Sequence, residues 1–355
     1  MRFMKWRTTR LSFVRLIMPF FILMAQSIAV TVDIQGPTGS GYFGGQVMVL
    51  PNGNIVVVDS SYSIPGGAAN VGAVYLYSPG GVLISRITGS SADDRVGSYG
   101  ITILANGNFV IRSPHWKNGT ATSAGAVTWA SAVTGVSGVV SAENSLVGSS
   151  TDDRVGYRIN AFNGVVPLKN GHYLVRTPDW DRGTIVDAGA VTWGSGTTGV
   201  AGIISPELSL VGAHAEDKVG EEKVVELANG HYVVSAPFWD DGAKRDVGAV
   251  TWGNGMSGVR GEISVGNSLI GNNAYDEIGG EDSWGGIFPL SNGDYVVTSP
   301  RCANPNSTNI PWTYALYAGA VTGCNGSTGT VGVVTVANSL MGNRPNDYVG
   351  RGGVY

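Results

Sequence analysis

One short unit written five times constrains this chain more than any other feature. The tract Gly-Ala-Val begins at Gly72, Gly125, Gly189, Gly248 and Gly319, spaced 53, 64, 59 and 71 residues apart. Asn-Gly pairs begin at Asn52, Asn106, Asn170, Asn229 and Asn292, spaced 54, 64, 59 and 63. Two independent markers drift together, so the period is a structural unit of about 60 residues with variable loops, which points to a propeller or a stacked array. Composition makes that unit β. Gly supplies 54 of the 355 residues, about twice the usual share, and each Gly inside a helix costs up to about 1 kcal/mol relative to Ala. The apolar runs are rich in Val and Ile, which suit strands. With 43% apolar and 14% charged residues, the chain has enough hydrophobic surface to fold.

The copy from Val155 to Gly212 predicts four strands. Val155-Gly156 opens a stretch reaching Val165-Val166, and Asn170-Gly171 reads as a type I′ hairpin turn. His172–Arg176 is the next strand, ended by Thr177-Pro178-Asp179-Trp180 because Pro cannot donate to a central ladder. Ala188–Trp193 is the third and Val200–Ser205 the fourth, with Leu208–Gly212 passing to the following copy. A four-stranded antiparallel sheet cannot bury both faces alone, so copies must pack face to face. The fold expected is all-β, a β-propeller-like array of about five four-stranded antiparallel blades. Unit boundaries fall at 43–95, 96–154, 155–218, 219–277 and 278–348, with a partial sixth at 349–355.

Several runs carry a resemblance: Ile87-Thr88-Gly89, Asp93-Asp94-Arg95-Val96-Gly97, Leu104 to Pro114 and Gly125-Ala126-Val127. Together they resemble the FG-GAP repeat of integrin-α-type β-propellers, and more closely an uncharacterised family of bacterial secreted repeats with Gly-Ala-Val-Thr-Trp tracts. The resemblance implies a propeller, seven-bladed in the integrin type. Five units and a fragment then leave two readings: part of a longer array, or a five-bladed ring closed by the strand near Val32–Ile34. Calcium-binding blades of that family carry an Asp-rich loop that supplies many oxygen ligands. Here the loop is reduced to Asn-Gly, and Ser291-Asn292-Gly293-Asp294 alone keeps a remnant. No metal and no cofactor are therefore expected.

Arg2, Lys5, Arg7, Arg10 and Arg15 precede the apolar run Leu16–Ala25 and the small residues ending Ser27-Ile28-Ala29. This pattern predicts a secretory signal peptide over 1–29, hence a secreted or cell-surface protein that meets the membrane only through its export signal. Residues 30–355 keep 17 basic against 26 acidic residues, a net charge of −9. That balance argues against nucleic acid.

Recurrent acids come first among the candidate site residues. Asp94, Asp153, Asp217 and Asp276 offer either a ring of ligand-binding carboxylates or Asx turn caps ahead of Val-Gly. Recurrence in every copy favours the cap. Trp116, Trp180 and Trp239 offer either sugar-stacking faces or packing between blades. In copy five Cys302 takes the Trp116 place and Cys324 stands one beyond the Trp129 place, which predicts a disulfide in an exported protein and, by extension, a Trp–Trp clasp in the other copies. His172 and His231 read as interchangeable turn residues. No nucleophile elbow or metal-binding spacing occurs. The function expected is a non-enzymatic binding or adhesion module whose partner is an extracellular glycan or protein. Two alternatives stand beside it: a passive structural part of a larger surface protein, and a carbohydrate-active enzyme using Glu221-Glu222 or Glu281-Asp282 as paired carboxylates.

Overall fold

The computed structural model describes residues 33–354 apart from 158–162, 223, 281–285 and 305–316. The expected signal segment and the Glu281-Asp282 pair lie outside the described residues. Those described are all-β and form five sheets, one per repeat. Blade 1 holds Gln46–Val49, Ile55–Asp59, Ala73–Tyr77 and Leu83–Thr88. Blade 2 holds Ile101–Ile103, Phe109–Ser113, Ala126–Ala130 and Ser145–Val147. Blade 3 holds Val165–Pro167, Tyr173–Thr177, Ala190–Gly194 and Ser209–Val211. Blade 4 holds Val224–Glu226, Tyr232–Ala236, Ala249–Gly253 and Ser268–Ile270. Blade 5 holds Gly286–Pro289, Tyr295–Ser299, Ala320–Cys324 and Leu340–Met341.

The fourth strand of each copy differs from the sequence expectation. In copy three Gly202–Ile203, inside the expected strand 200–205, leaves its own sheet and pairs in parallel with Ser145–Val147 of blade 2. Ser209–Val211 is the strand that completes blade 3, against Ala190–Thr192. Gly138–Val139, Gly261–Glu262 and Gly332–Val333 do the same for blades 1, 3 and 4. Each unit thus lends its predecessor a fifth strand. The lent dipeptide starts at a Gly with φ between +96° and +124°, a backbone state that residues with a Cβ rarely adopt.

Alternation along the central strands explains the packing. In blade 3, Tyr173 and Val175 enter the cluster shared with blade 2, while Leu174 between them enters the cluster shared with blade 4. Both faces of an internal blade are consequently dry, as the side-chain period of two requires when a sheet is sandwiched. The Gly-Ala-Val glycine has an equally local cause. A Cβ on Gly189 would lie 2.2 Å from the Val219 nitrogen, at φ +73°, and Gly72, Gly125, Gly248 and Gly319 meet the same 2.2 Å limit. A parallel bridge from Gly72, Gly125, Gly189 and Gly319 to Val96, Val155, Val219 and Val349 draws the crossover against the third strand.

Candidate functional site

The Asn-Gly turn comes out one residue longer than a type I′ hairpin. Gly107 has φ +87° whereas Asn106 is not left-handed. Leu104 accepts the Gly107 N–H and donates to the Asn108 carbonyl, the three-residue loop with a glycine bulge. Asn106 Oδ1 accepts the Asn108 N–H at 3.1 Å, which aims Nδ2 at the next blade, where it donates to the Gly196 carbonyl at 2.7 Å. Trp129 Nε1 donates to that same carbonyl at 3.0 Å. Asn170 with Trp193 grips Gly255 O, and Asn229 with Trp252 grips Gly326 O. His172 and His231 accept the N–H of Gly196 and Gly255 on Nδ1. Asn108 and Asp294 accept the corresponding N–H of Ala132 and Gly326, so these residues are interchangeable turn acceptors. Asp294 does a turn's work, which replaces its reading as a calcium-loop remnant.

The four recurrent acids are clamps. Asp153 is 1% exposed; its Oδ2 accepts the Ser149 and Ser150 N–H groups at 2.7 and 2.8 Å, and its Oδ1 accepts the Asp181 N–H at 3.0 Å. Asp94 reaches Lys117 N, Asp217 reaches Asp240 N and Asp276 reaches Ala303 N in the same way. The cap expected from sequence is present, and the third donor, 23 to 28 residues downstream, fastens the crossover to the following unit. Burial pushes the Asp153 carboxyl up to about 6 against the pull of its three donors. Arg95, Arg154 and Lys218 pair with the exposed acids Asp93, Asp152 and Glu216 rather than with the buried ones. Carboxylates that are 0–1% exposed with both oxygens occupied do not form a ligand-binding ring, which corrects that expectation.

Trp116, Trp180 and Trp239 are 3–5% exposed and sit in the inter-blade clusters. They are packing residues and present no face to a sugar. The expected disulfide is also corrected. Cys302 and Cys324 are free and buried. Cys302 does hold the Trp116 place, since its carbonyl accepts the Gly319 N–H as that of Trp116 accepts Gly125 N–H. But Tyr295 pairs with Cys324 while Ser299 pairs with Ala320, so the cysteines flank opposite ends of a ladder about 13 Å long. A disulfide needs Cα atoms within about 7 Å. The same register separates Trp116 from Trp129 and removes the clasp.

An accessible cleft of about 480 Å³ lies between blades 1 and 2, lined among others by Tyr42, Gln46, Ser60, Tyr99, Arg112 and Asn163. Sequence reasoning missed it, because no repeat marks it. Gly100 makes room: a Cβ there would lie 2.4 Å from Gln46 Oε1. Gln46 Oε1 and Ser98 Oγ are buried without a hydrogen-bond partner among the described residues. Tyr99 packs on Tyr157 and His115, with ring centroids 5.0 and 5.7 Å away, and Arg154 lies over the Tyr157 ring at 5.7 Å. Burial raises the Tyr99 pKa, and burial with Arg95 and Arg154 lowers that of His115. Glu221, one of the paired-carboxylate candidates, lines a smaller cleft of about 230 Å³ with Glu216, Lys218 and Asp246. Lys218 bonds Glu216 there at 3.1 Å. Among the described residues no three His, Cys, Asp or Glu side chains converge as a metal site.

Fold and junctions define a tandem array of interlocked, propeller-like β-blades. The chain belongs to the family described as Repeat of unknown function (DUF5650), whose model matches residues 103–157, 167–221, 226–280 and 289–351. A search of curated proteins returns no match. Among solved structures the chain is similar to virginiamycin B lyase from Staphylococcus aureus at 6% identity, 79% of this chain, 66% of that one and a TM-score of 0.31. It is also similar to a protein of unknown function from Bacteroides caccae at 13% identity, 83% and 80% coverage and TM-score 0.26. A Penicillium chrysogenum α-L-arabinanase complexed with arabinobiose matches at 12% identity, 83% and 90% coverage and TM-score 0.27. The chain spans just under two thirds of the lyase's length.

Proposed function

We propose that this chain is an exported, non-enzymatic binding module whose ligand is an extracellular glycan bearing carboxylate or sulfate groups, held in the cleft between blades 1 and 2. The observation that carries this reading is the cleft itself: its polar and aromatic lining is open to solvent, while the acids and tryptophans that recur are consumed by the junctions. Its chemistry suits such a ligand. Tyrosine rings present apolar faces to sugar rings, Arg112 places positive charge at the cleft in an otherwise acidic chain, and Gln46 Oε1 and Ser98 Oγ are buried polar atoms that a hydroxyl-rich ligand would satisfy. Secretion rests on the residue pattern of 1–29, and the likeness to integrin-α-type repeats agrees with an adhesive role. A glycan array probed with the full chain, alongside its Tyr99→Ala and Gln46→Ala variants, tests the proposal. Acidic glycans should be retained by the parent and lost at least tenfold by both variants. Binding that survives both substitutions, or no binding by folded protein, refutes it.

A further inference from the structure

The four internal junctions show what the far face of a blade packs against, and blade 5 presents that same face open. Leu146, Leu210 and Leu269 are 0% exposed beneath the blade that follows each, whereas Leu340 at the same place is 70% exposed. Val296, Val321 and Val349, whose counterparts in the preceding blades are sealed, are only half-buried. The edge of the sheet is open as well: blades 1 to 4 each receive a parallel fifth strand, and the sheet of blade 5 has four strands among the described residues. Beyond it the crossover is already built. Val349 N–H bonds the Ala318 carbonyl, as at the earlier junctions, and bridges Gly319 in parallel. Asp347 Oδ2 holds the Asn343 and Arg344 N–H groups. Its Oδ1 has no backbone donor among the described residues, where the four earlier aspartates each take one from the next unit.

We infer that blade 5 is an acceptor for one further unit of this repeat, docked with the polarity of the internal junctions. The occupant must bring a strand opening with a left-handed glycine, a following blade face of apolar side chains, and a loop N–H for Asp347. A second copy of this chain does not bring these at its own first blade. There the corresponding face is covered by Ile34 and Phe43 over Val57, Tyr75 and Tyr77. Its third and fourth strands are joined by the tight turn Ser78–Val82, whose Gly81-Val82 pair is held inside its own hairpin, with Gly81 N–H on the Ser78 carbonyl and Ser78 N–H on the Val82 carbonyl, and so is not free to be lent. Gly323, where blades 2 to 4 have Trp, is no obstacle. Blade 1 has Leu76 at that place and still grips Ala132 O through Asn52 and Asn54.

The test compares the full chain with an extended chain in which a second copy of residues 157–212 follows Gly350. Amide hydrogen exchange at residues 339–341 should slow at least tenfold in the extended chain. Leu340→Asp should leave the parent's exchange and unfolding midpoint unchanged while abolishing the slowing in the extended chain. A second extension, carrying residues 221–271, covers the case in which the first appended copy does not fold. Unchanged exchange in both extensions overturns the inference. So does concentration-dependent protection of 339–341 in the unextended chain, which would assign the face to a second copy.

Discussion

Replacing Asp153 by Ala asks whether the recurrent acids hold the array together. The substitution strands three N–H groups that point at the buried carboxylate, those of Ser149, Ser150 and Asp181, now bonded at 2.7, 2.8 and 3.0 Å. An orphaned buried donor costs about 1–3 kcal/mol, so the gross loss is about 6 kcal/mol. Against it stands relief of the buried charge. A carboxyl raised from 3.8 to about 6 is penalised by about 3 kcal/mol at neutral pH. The net expectation is a loss of about 3 kcal/mol, read as a shift in urea midpoint at constant slope. Asp347→Ala is the matched control, since Asp347 is exposed and holds only its two in-turn donors; it should cost under about 1 kcal/mol. The pH dependence has a defined sign. Because the folded-state pKa is raised, the native state takes up the proton first, and the parent gains stability as pH falls from about 6 towards 3.8. The alanine variant lacks that gain at residue 153, so its deficit widens between pH 7 and pH 5. Deficits of Asp153→Ala and Asp347→Ala that agree within about 1 kcal/mol at both pH values would refute the clamp.

Both cysteines should resist a thiol reagent in the native protein and yield two thiols on unfolding, since burial raises Cys302 and pushes Cys324 up to about 11; a Cys302–Cys324 linked peptide in an unreduced map contradicts the register. Gly189→Ala should fail to fold or lose more than about 2 kcal/mol, from left-handed backbone cost and a Cβ 2.2 Å from Val219 N, while Gly183→Ala, left-handed in open space, loses about 1; equal denaturation midpoints sink this account. Thr192→Val breaks the buried 2.7 Å Thr192–Ser209 bond and should cost about 1–2 kcal/mol in chemical denaturation, without changing retention on the acidic glycans.

The sequence by itself determined the period, the β class, the face-to-face stacking and the local turn chemistry. These follow from short-range physics: Gly107 supplies a positive φ, Asp153 caps the turn a few residues before it, and alternation assigns Leu174 and Val175 to opposite faces. Only the tertiary structure decided which unit each group serves. Gly202–Ile203 reads as a strand in its own blade, yet it pairs with the previous one, because edge hydrogen bonds carry no side-chain signature of their partner. The third bond of Asp153 comes from 28 residues away, and nothing in the turn residues records that donor. Cys302 aligns with one tryptophan and Cys324 stands one residue beyond another, yet they lie at opposite ends of a hairpin, since antiparallel register turns sequence proximity into distance. The cleft around Gln46, Tyr99 and Arg112 was invisible for the complementary reason. It is built from unlike positions of neighbouring units that no period connects, and only packing brings them together.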